Sequence, residues 1–194
     1  AERIAHIRST FLMQKLYPAV IIKDVISLIT DKLNLNVSLV NRQEYNHCIS
    51  DVAGSELIRD LDGFTHHYHV TRLEHCLHVS YLSFVICRRL GLDYQSAARG
   101  GLLHDFYFYD SHVTKPDRGI HCFRHPGIAL ENAEKHFPLN KVERDIIVKH
   151  MWPVTLTPPR YRESYVVTAM DKYCANRELI LGKGSLSSAV EAAS

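Results

Sequence analysis

Residues 71–91 read TRLEHCLHVSYLSFVICRRLG and contain the clearest amphipathic pattern in the chain. Apolar side chains recur there at steps of three and four residues, which is the spacing of one face of an α-helix. Gly91 ends the pattern, as glycine commonly does at the C-terminus of a helix. His75 shares its face with Val79 and Leu82. Because that face should be buried, the pattern predicts an imidazole that points into the core.

Helical periodicity extends over most of the remaining chain. Further helices are predicted over about residues 4–16, 18–33, 42–59, 94–106, 126–136, 140–152 and 163–181. No alternating stretch is long enough to indicate a sheet. The sequence therefore predicts an all-α fold, with residues 1–65 as an N-terminal helical extension and residues 66–194 as the main helical domain.

The composition excludes several classes of protein. A chain of 194 residues with 46% hydrophobic and 23% charged residues can bury a core, which argues against disorder, a collagen-like fibre or a coiled coil. A net charge of +2 provides no field that would attract a nucleic acid polymer or an anionic membrane. No stretch approaches the ~18–20 consecutive apolar residues that span a bilayer.

Cysteine usage indicates the compartment. The five cysteines are widely spread and contain no C-x-x-C pair. This usage fits reduced thiols better than a disulfide framework or a zinc finger. The first residues also lack the basic and apolar stretches of a secretory signal. Together these features predict a cytoplasmic protein without a membrane partner.

Histidine is unusually frequent, with 13 residues in the chain, and it is the commonest metal ligand in proteins. Besides His75, the helical pattern places polar side chains on inward faces or helix ends at His104, Asp105, His150 and Asp171. A buried carboxylate without a partner is very unfavourable, so these groups need partners. Separate structural hydrogen bonds would satisfy them, and so would a shared divalent metal ion. Gly100 and Gly101 would let neighbouring helices approach closely enough for the groups to converge.

The order of these residues resembles the pattern of the HD-domain metal-dependent phosphohydrolases. The matching segments are RLEH ending at His75, LLHD ending at Asp105, and AMDK around Asp171, all in helical context. The resemblance covers roughly residues 70–180. It implies an HD-domain-like helical bundle with a metal centre.

The resemblance also implies which residues hold the metal. In members of the family with two ions, two further histidines lie between the His-Asp pair and the last aspartate, and His125 and His150 fit those places. By resemblance, one ion is held by His75, His104, Asp105 and Asp171. The second is held by His125 and His150, with Asp105 as the bridge. One or two divalent ions are expected, with iron or manganese favoured and zinc, cobalt, nickel and magnesium as alternatives.

The expected reaction is hydrolysis of a small phosphate ester such as a nucleotide. A divalent ion lowers the pKa of bound water from about 15.7 toward 7 and so supplies hydroxide at neutral pH. His104 and Asp105 are the expected catalytic residues, and Arg72, His121 and Lys172 are candidates for binding substrate. The chain lacks the Gly-Tyr-Pro motif of the cyclic-dinucleotide branch and has the aromatic run FYFY at residues 106–109 after the His-Asp pair.

Two other functions fit the same residues. A few members of the family hold two iron ions and activate O₂ on a C–H bond, so a di-iron oxygenase is an alternative. A non-catalytic metal-binding regulatory domain is another. The expected partners are a small phosphorylated substrate and, as an option, a second copy of the chain.

Overall fold

The computed structural model describes residues 39–67, 70–109 and 121–191. Its helices are α1 (Leu39–Ala53), α2 (Glu56–Asp60), α3 (Arg72–Arg89), α4 (Tyr94–Leu103), α5 (His121–His136), α6 (Lys141–Lys149) and α7 (Arg162–Glu191). A 3-10 turn, Leu61–Gly63, and a two-stranded antiparallel sheet of β1 (Thr65–His67) and β2 (Val70–Thr71) join α2 to α3. The all-α prediction is confirmed. The helices predicted over 4–16 and 18–33 lie outside the described residues.

Helix α3 is the centre of the fold. It packs against α4 and α7, while α4 also contacts α1 and α6. Side chains of the first described helices, such as Ile49 and Ile58, belong to the same apolar core as Leu77 of α3. Residues 39–61 therefore contribute to the main core, and residues 1–38 of the predicted extension lie outside the described residues. None of the described helices is both long and apolar enough to cross a bilayer.

Local signals in the sequence set several helix ends. A capping box between Thr71 and Glu74 begins α3, and a second one between Asn140 and Glu143 begins α6. Gly91 follows α3 with a φ of 66°, the left-handed conformation that glycine adopts without strain. The predicted start of α6 and the predicted end of α3 are confirmed.

Other helix boundaries differ from the prediction. The single helix expected over residues 42–59 is broken after Ala53. Helix α4 ends at Leu103, three residues before its expected end. Helix α5 begins before Pro126, which lies inside it, and α7 continues beyond Gly182. Proline and glycine lower helix stability without always ending a helix, so they mark boundaries only approximately.

Two glycines of α4 allow close helix packing, as predicted. A Cβ atom added to Gly101 would lie 2.9 Å from the backbone Cα of Ser80 in α3. A Cβ atom added to Gly100 would lie 2.8 Å from the side chain of Ile146 in α6. Such distances are too short for a side chain at either position. The end of α4 is thereby held tightly between two helices.

Candidate metal centre

The structure brings all six predicted metal ligands into one buried region. They lie in the first turn of α3, directly after α4, in the first half of α5, directly after α6, and in α7: His75, His104, Asp105, His125, His150 and Asp171. None exposes more than 9% of its surface. Their donor atoms form two groups that share this region.

The first group contains His75, His104 and Asp171. Nε2 of His75 lies 3.2 Å from Oδ1 of Asp171, and Nε2 of His104 lies 3.7 Å from the same oxygen. The donor atoms of these three residues all lie within 4.8 Å of one another. One carboxylate and two imidazoles therefore face a common point between α3, α4 and α7.

The second group contains Asp105, His125 and His150. Oδ1 of Asp105 lies 3.3 Å from Nε2 of His125 and 3.5 Å from Nε2 of His150. The two Nε2 atoms are 2.7 Å apart. The other oxygen of Asp105, Oδ2, lies 3.8 Å from Nε2 of His104 in the first group. Asp105 therefore presents one oxygen to each group.

Hydrogen bonds from the ring nitrogens that face away from the centre fix the orientation of His104 and His150. Nδ1 of His104 donates to the backbone carbonyl of Gly101, and Nδ1 of His150 donates to that of Ile147, both at 2.8 Å. Each acceptor lies three residues earlier in the same helical segment. With Nδ1 held as a donor, Nε2 is the nitrogen that faces the centre, which is the arrangement that metal-bound histidines use.

Glu178, which was not predicted from the sequence, orients His75. Nδ1 of His75 lies 3.0 Å from Oε1 of Glu178, and the carboxylate is buried. A carboxylate, a histidine and an ion in this order form a recurrent arrangement in metal sites. The available signal was the position of Glu178, two helical turns after Asp171 and hence on the same face of α7.

The donors fit a divalent ion. Ligand atoms that share such an ion lie about 2.0–2.2 Å from it, so they can be at most ~4.4 Å apart. Every separation given above for a pair within one group is shorter than this limit. Nε2 of His104 and Oδ1 of Asp105 are also fully buried and have no hydrogen-bond partner among the described residues. Such atoms are rare in folded proteins, and an ion would satisfy both.

Both aspartates are ionised at neutral pH. Burial alone would raise the pKa of Asp105, but the charges of His104 and His125 outweigh it and hold that pKa well below its usual range. Burial also opposes ionisation of Asp171, and the imidazoles of His104 and His75 beside it hold its pKa well below the usual range. Ionised carboxylates are the form that binds metal.

His75 and His150 differ in charge before an ion is bound. Burial would lower the pKa of His75, but Asp171 and Glu178 outweigh it and raise the pKa to about 10. Burial and the nearby charge of His125 lower the pKa of His150 to about 3. His150 therefore offers a lone pair at neutral pH, whereas His75 must lose a proton to do so.

Arg72, a predicted substrate-binding residue, contacts the backbone of the segment that follows the His-Asp pair. Its side chain is fully buried, and its guanidinium donates to the backbone carbonyls of Tyr107 (2.7 Å) and Tyr109 (3.0 Å). The guanidinium carbon also lies 3.7 Å from the centre of the Tyr107 ring. These contacts give Arg72 a structural role in holding the segment after the His-Asp pair, and binding of substrate by Arg72 stays a prediction.

The other two candidate substrate-binding residues, Lys172 and His121, are close in sequence to the predicted metal ligands Asp171 and His125. Nζ of Lys172 donates to the backbone carbonyl of His150 (2.7 Å) and lies 3.4 Å from Oδ2 of Asp171. About a third of its side chain, 35%, is exposed, so a cation stands at the edge of the buried donors. His121 begins α5, and its side chain lies outside the described residues. The roles of both residues in binding substrate stay predictions.

Comparison of the chain with protein-family models, with curated proteins and with solved structures finds no significant match. The resemblance to the HD-domain family therefore stays a sequence-based expectation. What the structure adds is the position of the buried donors, which form clusters able to hold a metal ion.

Proposed function

We propose that this chain is a metal-dependent phosphohydrolase that cleaves a small phosphate ester, such as a nucleotide, with two divalent ions. The first ion is assigned to His75, His104, Asp105 and Asp171, and the second to Asp105, His125 and His150. The supporting observation is the carboxylate of Asp105, whose two oxygens face the two groups. A carboxylate that bridges two ions is a natural way to hold them ~3.5–4 Å apart, the spacing of two-metal hydrolases.

The charge of the centre favours an anionic substrate. Two divalent ions would outweigh the carboxylates of Asp105, Asp171 and Glu178 and leave the region positive. Lys172 adds a further cation at the partly exposed edge. A phosphate ester carries the opposite charge. Its binding would therefore neutralise positive charge whose burial is otherwise unfavourable.

The residues of the chain have separate tasks in this proposal. Divalent ions at such a centre supply a bound water of lowered pKa and neutralise charge on the phosphoryl oxygens. Asp105 sets the relative position of the two ions. His104 and His150 are held by their backbone acceptors, and His75 by Glu178, so their Nε2 atoms need little reorganisation when ligands bind. In this proposal, Lys172 contacts a phosphate oxygen.

The donor set narrows the choice of metal. Imidazole and carboxylate donors suit iron, manganese, cobalt, nickel and zinc, whereas magnesium prefers oxygen donors alone. We propose iron or manganese. The assignment to the HD-domain family is part of the same proposal and rests on the segments around His75, Asp105 and Asp171.

A metal-dependent activity screen tests the proposal. The protein, stripped of metal and reloaded anaerobically with Mn²⁺ or Fe²⁺, is offered aryl phosphate mono- and diesters and nucleotides, and phosphate release and oxygen uptake are both measured. We expect phosphate release that depends on added metal and disappears in Asp171→Ala. Oxygen uptake by the iron-loaded protein without phosphate release would instead indicate an oxygenase. Two bound ions with neither activity would indicate a regulatory metal-binding domain.

A further inference from the structure

One more histidine lies against the first group of donors. His66 lies in β1, at the point where the register between β1 and β2 is irregular. Its ring stacks on that of His75, with the centroids 4.0 Å apart and an interplanar angle of 29°. Nδ1 of His66 lies 3.9 Å from Oδ2 of Asp105. The short hairpin before α3 thus brings a side chain to the centre that the helical pattern of the sequence does not indicate.

The donor atoms of His66 fit the first ion. His66, His75 and Asp105 each offer a ligand atom within 4.8 Å of the other two. The distance from Nδ1 to Oδ2 of Asp105 is below the ~4.4 Å that two ligands of one ion can span. Oδ2 is the oxygen of Asp105 that faces His104, so His66 lies on the side of the first group and not of the second.

We propose that His66 is a fifth protein ligand of the first ion and binds it through Nδ1. The proposal rests on the metal centre of the proposed function and is independent of the reaction. Its side chain is 15% exposed, whereas that of His75 is fully buried, so His66 lies on the solvent side of the first group. A ligand there occupies a position that water or substrate would otherwise take.

The consequence is an asymmetric centre. The first ion would be held by five residues, and the described residues supply Asp105, His125 and His150 to the second ion. The second ion would therefore keep more positions for water and for the oxygens of a phosphate ester. Substrate would bind mainly at the second ion, beside the edge where Lys172 lies.

Cobalt substitution tests the ligand directly. In the cobalt(II) protein, a proton on the distal nitrogen of each bound imidazole gives a strongly shifted, exchangeable proton NMR signal. We expect His66→Ala and His66→Gln each to lose one such signal and to bind the tighter ion at least about tenfold more weakly in chelator competition. His47→Ala is the matched control because His47 is exposed on α1. It should keep every shifted signal and the wild-type affinity. His66→Gln preserves most of the side-chain volume. It keeps the test valid if the alanine variant folds poorly.

The outcomes separate this proposal from the proposed function. An unchanged set of shifted signals and an unchanged affinity in both His66 variants would overturn the assignment of His66 as a ligand. Failure of the wild-type protein to bind any ion would overturn the metal centre and His66 with it. Two ions bound without hydrolysis of any phosphate ester would reject the reaction, while the cobalt signals would still decide the role of His66.

Discussion

Oδ1 of Asp105 lies 3.3 Å from Nε2 of His125, on a helix that begins after a long stretch of intervening chain. The second oxygen of the same carboxylate faces His104, the residue directly before Asp105. One side chain thus connects a donor that directly follows α4 with a donor of α5. The tight packing of Gly101 against α3 fixes the position from which Asp105 projects. Asp105 is therefore the residue whose removal should affect both ions.

We expect Asp105→Ala to bring the metal content from about two ions per chain toward zero and to abolish hydrolysis. The reason is that the second group loses its only carboxylate and the first ion loses one of its two, so less negative charge remains to balance a divalent ion. Metal content is measured by mass spectrometry of the elements after removal of loosely bound ions. Asp60→Ala, at an exposed aspartate of α2, is the control and should bind metal normally. A variant at position 105 that retains both ions would exclude the bridge.

His125→Ala should affect the second ion alone. Its imidazole contacts Asp105 and His150 and is not part of the group formed by His75, His104 and Asp171. The expected metal content is about one ion per chain, with the secondary structure unchanged by circular dichroism. If the variant still binds about two ions, His125 does not belong to the second site.

The pKa of His75 predicts proton release on metal binding. Asp171 and Glu178 raise this pKa to about 10, so the imidazole is protonated at neutral pH and must lose its proton when an ion binds. Removing one carboxylate in Glu178→Gln lowers the pKa of His75, so proton release should cease at a lower pH than in the wild-type protein. A pH-stat titration with metal between about pH 7 and 9 measures this. Identical release curves for the two proteins would show that Glu178 does not control His75.

Helical periodicity predicted the residues that project from regular helices into the core. His75, His150 and Asp171 follow the apolar spacing of α3, α6 and α7, and each is buried. The family resemblance was needed for His125, because the residues before it carry no such spacing. Helix ends were less predictable, as the positions of Pro126 inside α5 and Gly182 inside α7 illustrate.

The partners of buried charges could not be predicted from local patterns. The sequence indicates that Glu178 shares a face of α7 with Asp171, but it does not indicate the contact with His75 of α3. The partners of Arg72 were equally unpredictable, because its acceptors are backbone carbonyls of an irregular segment more distant along the chain. Both contacts depend on how distant segments meet, which spacing along one helix does not specify.

The packing of α4 also gives a prediction about stability. Gly101→Ala would bring a Cβ atom to 2.9 Å from the backbone of Ser80. Relief of this contact requires a shift of the helix backbone, which is unfavourable. We expect the free energy of unfolding in urea to fall by about 1–3 kcal/mol. Gly127→Ala is the control, since a Cβ atom at this position of α5 meets no described residue within 4 Å. It should raise stability by about 0.5–1 kcal/mol because alanine favours helix. Equal effects of the two substitutions would contradict close packing at Gly101.

The metal content of the wild-type protein tests the proposed metal centre. The protein is purified without chelators, reloaded with manganese or iron under anaerobic conditions, and analysed for metal per chain. Convergence of six buried imidazole and carboxylate ligands predicts about two ions per chain. A protein that retains no divalent ion under these conditions would contradict the metal centre and the function proposed from it.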